Sequence, residues 1–250
     1  MTDFSMQLWS TRKFPPLSSV FETLARHGYA SVEGYSGTYE DLPELRRLLD
    51  VNGLTMPTAH FSLQQLKDKP ATLATARTLG AKAVFCAGLA HVDRVKPDAG
   101  WDELAADLAE LSKFYKDQGL GFGWHNHDFE FAPTESGRLP MDIILSEAPD
   151  IDWEMDAAWI VRGGLDPLEW LTRYGQRVIA VHLKDRAPAG ENQDEDGWAD
   201  LGHGMMPWRA IADVIRSGTR ASYFVMEHDN PNDFERFASR SIASARALLG

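Results

Sequence analysis

One cysteine in 250 residues, Cys86, rules out an internal disulfide, so the fold has to be held by packing rather than by staples. A lone thiol fits a reducing compartment, and within "AVFCAG" it reads as buried filler rather than as a nucleophile. Cationic side chains are also scarce. Lys and Arg number 25 against 37 Asp and Glu, a formal charge of −12 with a pI near 5.1. That balance argues against nucleic acid as a partner, because neutralising a phosphate backbone needs clustered Lys and Arg. No apolar run approaches the roughly 20 residues that span a bilayer. The opening "MTDFSMQLWS" has neither a basic n-region nor an apolar h-region, so the expectation is a cytoplasmic protein with no membrane partner. Finally, no Gly-rich phosphate loop follows the first apolar run, which disfavours an open dinucleotide-binding sheet.

What the chain does have is alternation. "SMQLW" precedes "LSSVFETLARHGY", "ASVEG" precedes "DLPELRRLLDVNG", "LTMPTAHF" precedes "PATLATARTLG", and "AVFCAG" precedes "WDELAADLAELSKFYKDQG". The first run of each pair has strand character and the second has helical spacing. Gly28, Gly53, Gly80 and Gly119 close the four helices. The second half repeats the unit with "LGFGWHNH" and "MDIILSEA", "IDWEMDAAW" and "DPLEWLTRYG", "RVIAVHL" and "PWRAIADVIRSG", and "ASYFVMEHD" and "NDFERFASRSIASARALL". Eight strand–helix units in a chain that is 44% hydrophobic predict a single (β/α)₈ TIM barrel over residues 1–250, in the α/β class. The one long irregular segment, from about Asp185 to Pro207, is expected to lie over the barrel mouth as a lid or binding loop.

In such a barrel the active site is built from the C-terminal ends of the strands. Those ends carry Gln7 and Trp9, Glu33, His60, Cys86, His125 and His127, Asp156, His182, and Glu227. Carboxylates and imidazoles are costly to bury unless they are paired, ligating or catalytic. Asp156, His182 and Glu227 follow three consecutive apolar strands and converge on one point. Two acids and an imidazole suit a divalent cation such as Mn²⁺, Co²⁺, Mg²⁺ or Zn²⁺, which also relieves the repulsion between the acids. A fourth ligand should come from the neighbouring strand, where the period of two puts His125 and His127 on one face and turns Asn126 away. His60 alone reads more readily as a hydrogen-bonded structural residue, and His228 should face away from the site. His27 and His91 have no assigned role.

The phrases "MQLWSTR", "HGYASVEGY", "WHNHDFEF", "WEMDAAWIVRGG", "VIAVHLKDR", "LGHGMMPW" and "VMEHD" resemble the sugar phosphate isomerase/epimerase family, within the xylose-isomerase-like barrels. The superfamily also contains ketose 3-epimerases, inosose dehydratases, 3-dehydroshikimate dehydratases and endonuclease IV. The resemblance implies a metal held by Glu, Asp, His and Glu from strands five to eight. The last three correspond to Asp156, His182 and Glu227, whereas the strand-five glutamate is replaced by histidine, with His125 the first choice for fourth ligand and Glu130 the second. Relatives are commonly dimers or tetramers, so the resemblance also implies a homo-oligomer.

A divalent ion that chelates a carbonyl and its adjacent hydroxyl acidifies the α-proton and stabilises an enediolate. The expectation is therefore an isomerase or epimerase acting on a small carbohydrate: a sugar, keto-sugar or related polyol. The alternative is a lyase or dehydratase on a 3-keto-glycoside or inosose-like substrate, from the same intermediate. A non-catalytic sugar-binding barrel is a third class, disfavoured because Asp156, His182 and Glu227 are all present. Phosphodiester cleavage is disfavoured by the acidic charge and by too few ligands. For the base, Glu227 is suggested by resemblance, His127 by its titration range, and Glu130 or Glu154 by position. Lys184 reads either as a group that orients a substrate oxygen or as a surface lysine paired with Asp185. Glu33 and His60 are candidates for sugar hydroxyls, Trp9 and Trp159 for apolar walls, Arg12 for a carboxylate or phosphate, and His203 for a lid contact.

Overall fold

The computed structural model describes residues 2–250. Eight parallel strands close into a barrel: β1 (Phe4–Gln7), β2 (Ser31–Gly34), β3 (Thr55–Phe61), β4 (Ala83–Cys86), β5 (Gly121–His125), β6 (Asp152–Asp156), β7 (Val178–Leu183) and β10 (Tyr223–Met226). They follow one another in chain order around the ring, and β10 closes on β1 with Phe4 opposite Phe224 and Met6 opposite Met226. The two remaining strands, β8 (Asp185–Arg186) and β9 (Trp198–Ala199), form an antiparallel ribbon inside the long loop. The predicted barrel is therefore present, and the supposedly irregular loop has structure of its own.

Helices α1 (Leu17–His27), α2 (Leu42–Asn52), α4 (Lys69–Leu79), α5 (Asp98–Asp117), α6 (Pro140–Glu147), α8 (Pro167–Tyr174), α9 (Trp208–Gly218) and α10 (Phe234–Leu249) make the outer layer. Two short helices add to the expected eight: α3 (Leu63–Lys67) and α7 (Ala157–Arg162). Both are set by local capping rather than by a long apolar stripe, which is why periodicity misses them. Ser62 Oγ accepts from the Gln65 amide at 3.2 Å, and Asp156 Oδ1 accepts from the Trp159 amide at 2.9 Å. Gly28, Gly53 and Gly80 stop their helices at φ of 77°, 65° and 81°.

The main core lies between barrel and helices, where Phe21, Leu49, Trp101, Leu108, Ile144, Trp153, Ile211 and Phe237 are all buried. Each large apolar side chain so buried contributes about 1.5–3 kcal/mol. Inside the ring a much smaller plug, Ala83, Phe85 and Ala180 with Ile179 and Tyr223 against it, fills the N-terminal half of the lumen. Gly123 makes room for it. A Cβ there would lie 2.7 Å from the Phe85 ring and 2.6 Å from the Asp152 carbonyl oxygen. Above this plug the lumen changes character: Gln7, Glu33, His60, His125, Glu154, Asp156 and His182 are all buried.

The long loop is fastened by Asp185. Its Oδ1 accepts from the amides of Arg186 at 2.8 Å and Met206 at 3.0 Å, and its Oδ2 accepts from Gly202 at 2.9 Å. Arg236 on α10 holds the outer side through Glu195 at 2.6 Å and Asp200 at 2.9 Å.

Candidate metal centre

The strands bring His125, Asp156, His182 and Glu227 together so that one ligand atom from each lies within 4.8 Å of the others, all four residues buried. They come from β5, β6, β7 and the position just beyond β10, in the register expected from the sequence. Opposite strand positions Asp156 and His182 are paired directly, as are His182 and Val225, two residues before Glu227. Asn126 turns outward and locks β5 to β6: its Oδ1 accepts from Trp153 Nε1 at 2.9 Å and from the Asp156 amide at 3.0 Å. This leaves the flanking histidines facing inward, with their rings 5.0 Å apart.

The donor set fits a divalent cation. Asp156 spends Oδ1 on the Trp159 amide, while its buried Oδ2 has no hydrogen-bond partner and lies 3.8 Å from Lys184 Nζ. Burial pushes this carboxyl up to about 7 despite the attraction of Lys184, so a cation would relieve a strained group. Burial, reinforced by His182 and His60, holds His125 well below the usual imidazole range, leaving a neutral ring able to ligate. Burial opposes ionising Glu227, but Lys184 and His182 outweigh it and keep the carboxylate well below its ordinary value. His182 Nδ1 is 2.9 Å from Glu227 Oε2 and its Nε2 is 2.8 Å from Glu33 Oε1. Burial works against charging that ring, while Glu154 and Glu227 raise its proton affinity. A metal would displace the proton between His182 and Glu227.

Lys184 is not a surface lysine, and its alternative pairing with Asp185 is replaced by a buried one. Its side chain is fully enclosed, with Nζ 3.1 Å from Glu227 Oε2 and ion-paired to Asp229. The faces of Trp159 and Trp198 lie 4.7 and 4.5 Å from the ammonium. Burial opposes the charge, but Asp229 and Glu227 raise the amine above its usual range. Asp229 and Trp198 were not singled out by sequence; Asp229 lies two residues beyond Glu227 in "MEHD", a spacing that places it on the same side.

Beneath the ligand atoms lies a second layer. Gln7 Oε1 accepts from the Trp9 amide at 3.0 Å, which turns its Nε2 toward Glu33 Oε1 at 2.8 Å and His60 Nδ1 at 3.2 Å. His60 Nδ1 meets Gln7 Nε2, and its Nε2 faces Glu154 Oε2 and Glu33 Oε1; burial opposes charging the ring, but Glu33 and Glu154 push its pKa up to about 10. Burial opposes ionising Glu33, yet His60 and His182 hold it well below the carboxylate range, whereas burial and Glu33 push Glu154 upward. Glu33 and His60, expected to meet sugar hydroxyls, therefore lie under the ligand cluster.

Glu130 is not part of either layer. Its Oε1 accepts from Trp124 Nε1 and its Oε2 from the His127 amide, both at 2.9 Å, and burial pushes its carboxyl up to about 8. The structure thus turns the second-choice ligand away from the cluster. His127 reaches the mouth beside Trp159, with Nδ1 unpartnered and its pKa lowered to about 3 by burial and Lys184. Trp9, 39% exposed, stands at the rim with the Arg12 guanidinium 4.1 Å above its ring. His203 is exposed on the long loop, beside Asp200, Arg236 and Arg240, and is not among the clustered side chains. His228 faces outward against Phe237, and the Cys86 thiol is buried and pushed up to about 12, as inert filler should be.

Fold and site together define a (β/α)₈ barrel carrying an acid–imidazole cluster at the C-terminal ends of its strands. Residues 21–248 match the family model described as xylose isomerase-like TIM barrel, and the chain belongs to that family. It is similar to an inosose dehydratase from Lacticaseibacillus casei, 22% identical over 88% of this chain and 86% of the relative. Among solved structures it resembles a sugar phosphate isomerase/epimerase from Parabacteroides distasonis (TM-score 0.79, 20% identity, covering 99% of this chain and 95% of that one). It also resembles the zinc-bound IolI protein (TM-score 0.79, 14% identity, covering 99% and 98%).

Proposed function

We propose that the chain is a divalent-metal-dependent enzyme that removes the proton beside the carbonyl of a sugar, keto-sugar or related polyol. The observation that carries this reading is the buried set His125, Asp156, His182 and Glu227, with Asp156 Oδ2 left unpartnered. Those four residues would hold the ion, which when bound supplies the Lewis acidity that makes an α-proton removable near neutral pH. Glu227, ionised between His182 and Lys184, is the base that takes the proton. Lys184 places a fixed positive charge beside it, suited to the negative charge that develops on the substrate oxygen. His127, neutral and unpartnered at Nδ1, is the second proton-transfer group, and Trp9, Arg12 and Trp159 form the substrate wall.

Delivery of a proton to the other face or to the neighbouring carbon makes the enzyme an epimerase or isomerase, and the pairing of His127 with Glu227 favours that outcome. Loss of a β-hydroxyl or β-alkoxyl makes it a dehydratase or lyase. That second reading is favoured by Glu130 being turned away, which leaves one carboxylate base beside a cationic acid. The test is incubation of Mn²⁺-, Co²⁺- or Zn²⁺-loaded protein in D₂O with ketohexoses, inososes and 3-keto-glycosides, followed by NMR. Deuterium at the α-carbon with a new diastereomer or carbonyl position supports the isomerase; an unsaturated or dicarbonyl product supports the dehydratase. No exchange into any of the three classes overturns both.

A further inference from the structure

Each of the two ligand imidazoles has a carboxylate behind it. His182 has Glu33, with Nε2 to Oε1 at 2.8 Å. His125 has Glu154, its direct neighbour across the β5–β6 register, with Nδ1 to Oε2 at 3.3 Å. His125 Nδ1 is buried without a hydrogen-bond partner, and the Glu154 oxygen nearest to it is Oε2, which also faces His60 Nε2, while Glu154 Oε1 is unpartnered. The orientation of Glu154 is fixed from the far side of the lumen. The Trp9 amide sets Gln7, Gln7 Nε2 lies against His60 Nδ1, and His60 Nε2–H points at Glu154 Oε2. Glu154 is thereby aimed at His125 by a chain of polar contacts that begins at a backbone N–H.

A buried carboxylate in a barrel lumen costs several kcal/mol unless something uses its charge. Ligating histidines almost always pass their second N–H to such a group, which fixes the tautomer and raises the basicity of the ligating nitrogen. From the Cα, histidine Nε2 is as many bonds away as a glutamate carboxylate oxygen, so Nε2 is the atom with the reach to serve the mouth, and Nδ1 the one left for Glu154. We propose that Glu154 is a positioning residue for His125: it accepts the Nδ1 proton and so presents Nε2 as a free, more basic donor toward the cation. The charge that a carboxylate ligand at position 125 would bring is held one layer deeper instead. This inference rests on the metal reading above.

The experiment measures Co²⁺ and Zn²⁺ dissociation constants by chelator competition, with the Co²⁺ visible spectrum, for wild type, Glu154→Gln, His125→Glu and the double variant. Melting of the metal-free proteins controls for folding. Glu154→Gln should weaken binding about ten- to a hundred-fold and shift the Co²⁺ bands. In the His125→Glu background the same change should have little effect or tighten binding, because a glutamate at 125 has no N–H to donate and is repelled by Glu154. Equal losses in both backgrounds, or no loss in either, overturn the assignment of Glu154 while leaving the metal site standing. Absence of binding by wild type overturns the metal reading and this inference together. Should Glu154→Gln fail to fold, the comparison of His125→Glu with the double variant still decides whether Glu154 repels a carboxylate at 125.

Discussion

Two clusters in the barrel lumen share His125 and His182 but differ in how their remaining atoms are occupied. In the inner one, His60 and Glu154 complete the set, and Gln7 and Glu33 tie it across the ring. In the outer one, Asp156 and Glu227 complete the set, and Asp156 Oδ2 has no hydrogen-bond partner, with the Lys184 ammonium 3.8 Å away. The inner cluster is tied across the ring by Gln7, Glu33, His60 and Glu154, which specifies geometry, and it keeps Glu33 Oε2, Glu154 Oε1 and His125 Nδ1 unpartnered. The outer cluster keeps an unpartnered carboxylate oxygen, Asp156 Oδ2, beside the Lys184 ammonium, an arrangement that the proposed cation and proton transfer would use. The lesson is one of layering: the same two imidazoles meet the cross-ring network on one side and belong to the proposed ligand set on the other.

The strongest way to break this contrast is to remove a charge from each layer in turn. Glu227→Gln should lower turnover by about 10²–10⁴-fold, the range expected for loss of a positioned base. Steady-state rates on the substrate identified by deuterium exchange check this, and a fall of less than tenfold would remove Glu227 from the role of base. A smaller effect is expected at Lys184. Replacing it by methionine leaves Glu227 and Asp229 without their cation and should destabilise the metal-free protein by about 3 kcal/mol. Urea unfolding measures it; a loss below about 1 kcal/mol would mean that the ammonium does not hold the mouth together.

The smallest expected effect sharpens the boundary of both clusters. Glu130 lies outside them, and burial pushes its carboxyl up to about 8. An unfolded glutamate titrates near about 4.3, so between these values the folded chain keeps a proton that the unfolded chain loses. Stability from this group is therefore greatest at the acid end and falls as pH rises from about 5 to about 8, by on the order of 1–3 kcal/mol. Glu130→Gln should flatten that part of the profile. Melting curves at both pH values for the two proteins test it, and identical slopes would show that Glu130 does not titrate in this window.

The barrel was legible because its signals are local: apolar strand runs, amphipathic helices and the glycines at 28, 53 and 80 that end them. Asp156, His182 and Glu227 were legible for the same reason, being polar residues at the ends of apolar runs. Position 125 was readable from the period of two, and the structure turns Glu130 away through Trp124 and the His127 amide. Lys184 was not legible as a buried group, since its burial depends on Trp198, which arrives from the long loop, and on Asp229 beyond the last strand. Nor was the placing of Glu154 beside His125, because cross-strand register in a closed barrel is a tertiary fact. His203 sat in a suggestive glycine-flanked turn, but the Asp185 anchor orients that turn so that the ring faces solvent.

Asp156 divides its two oxygens between α7 and the outer cluster. The helix cap and the candidate ligand are thus one residue, and any pull on Oδ2 is felt by the Trp159 amide through Oδ1. The rate at which that amide exchanges with solvent deuterium is consequently a built-in gauge of whether the proposed centre is filled, readable before any substrate is known.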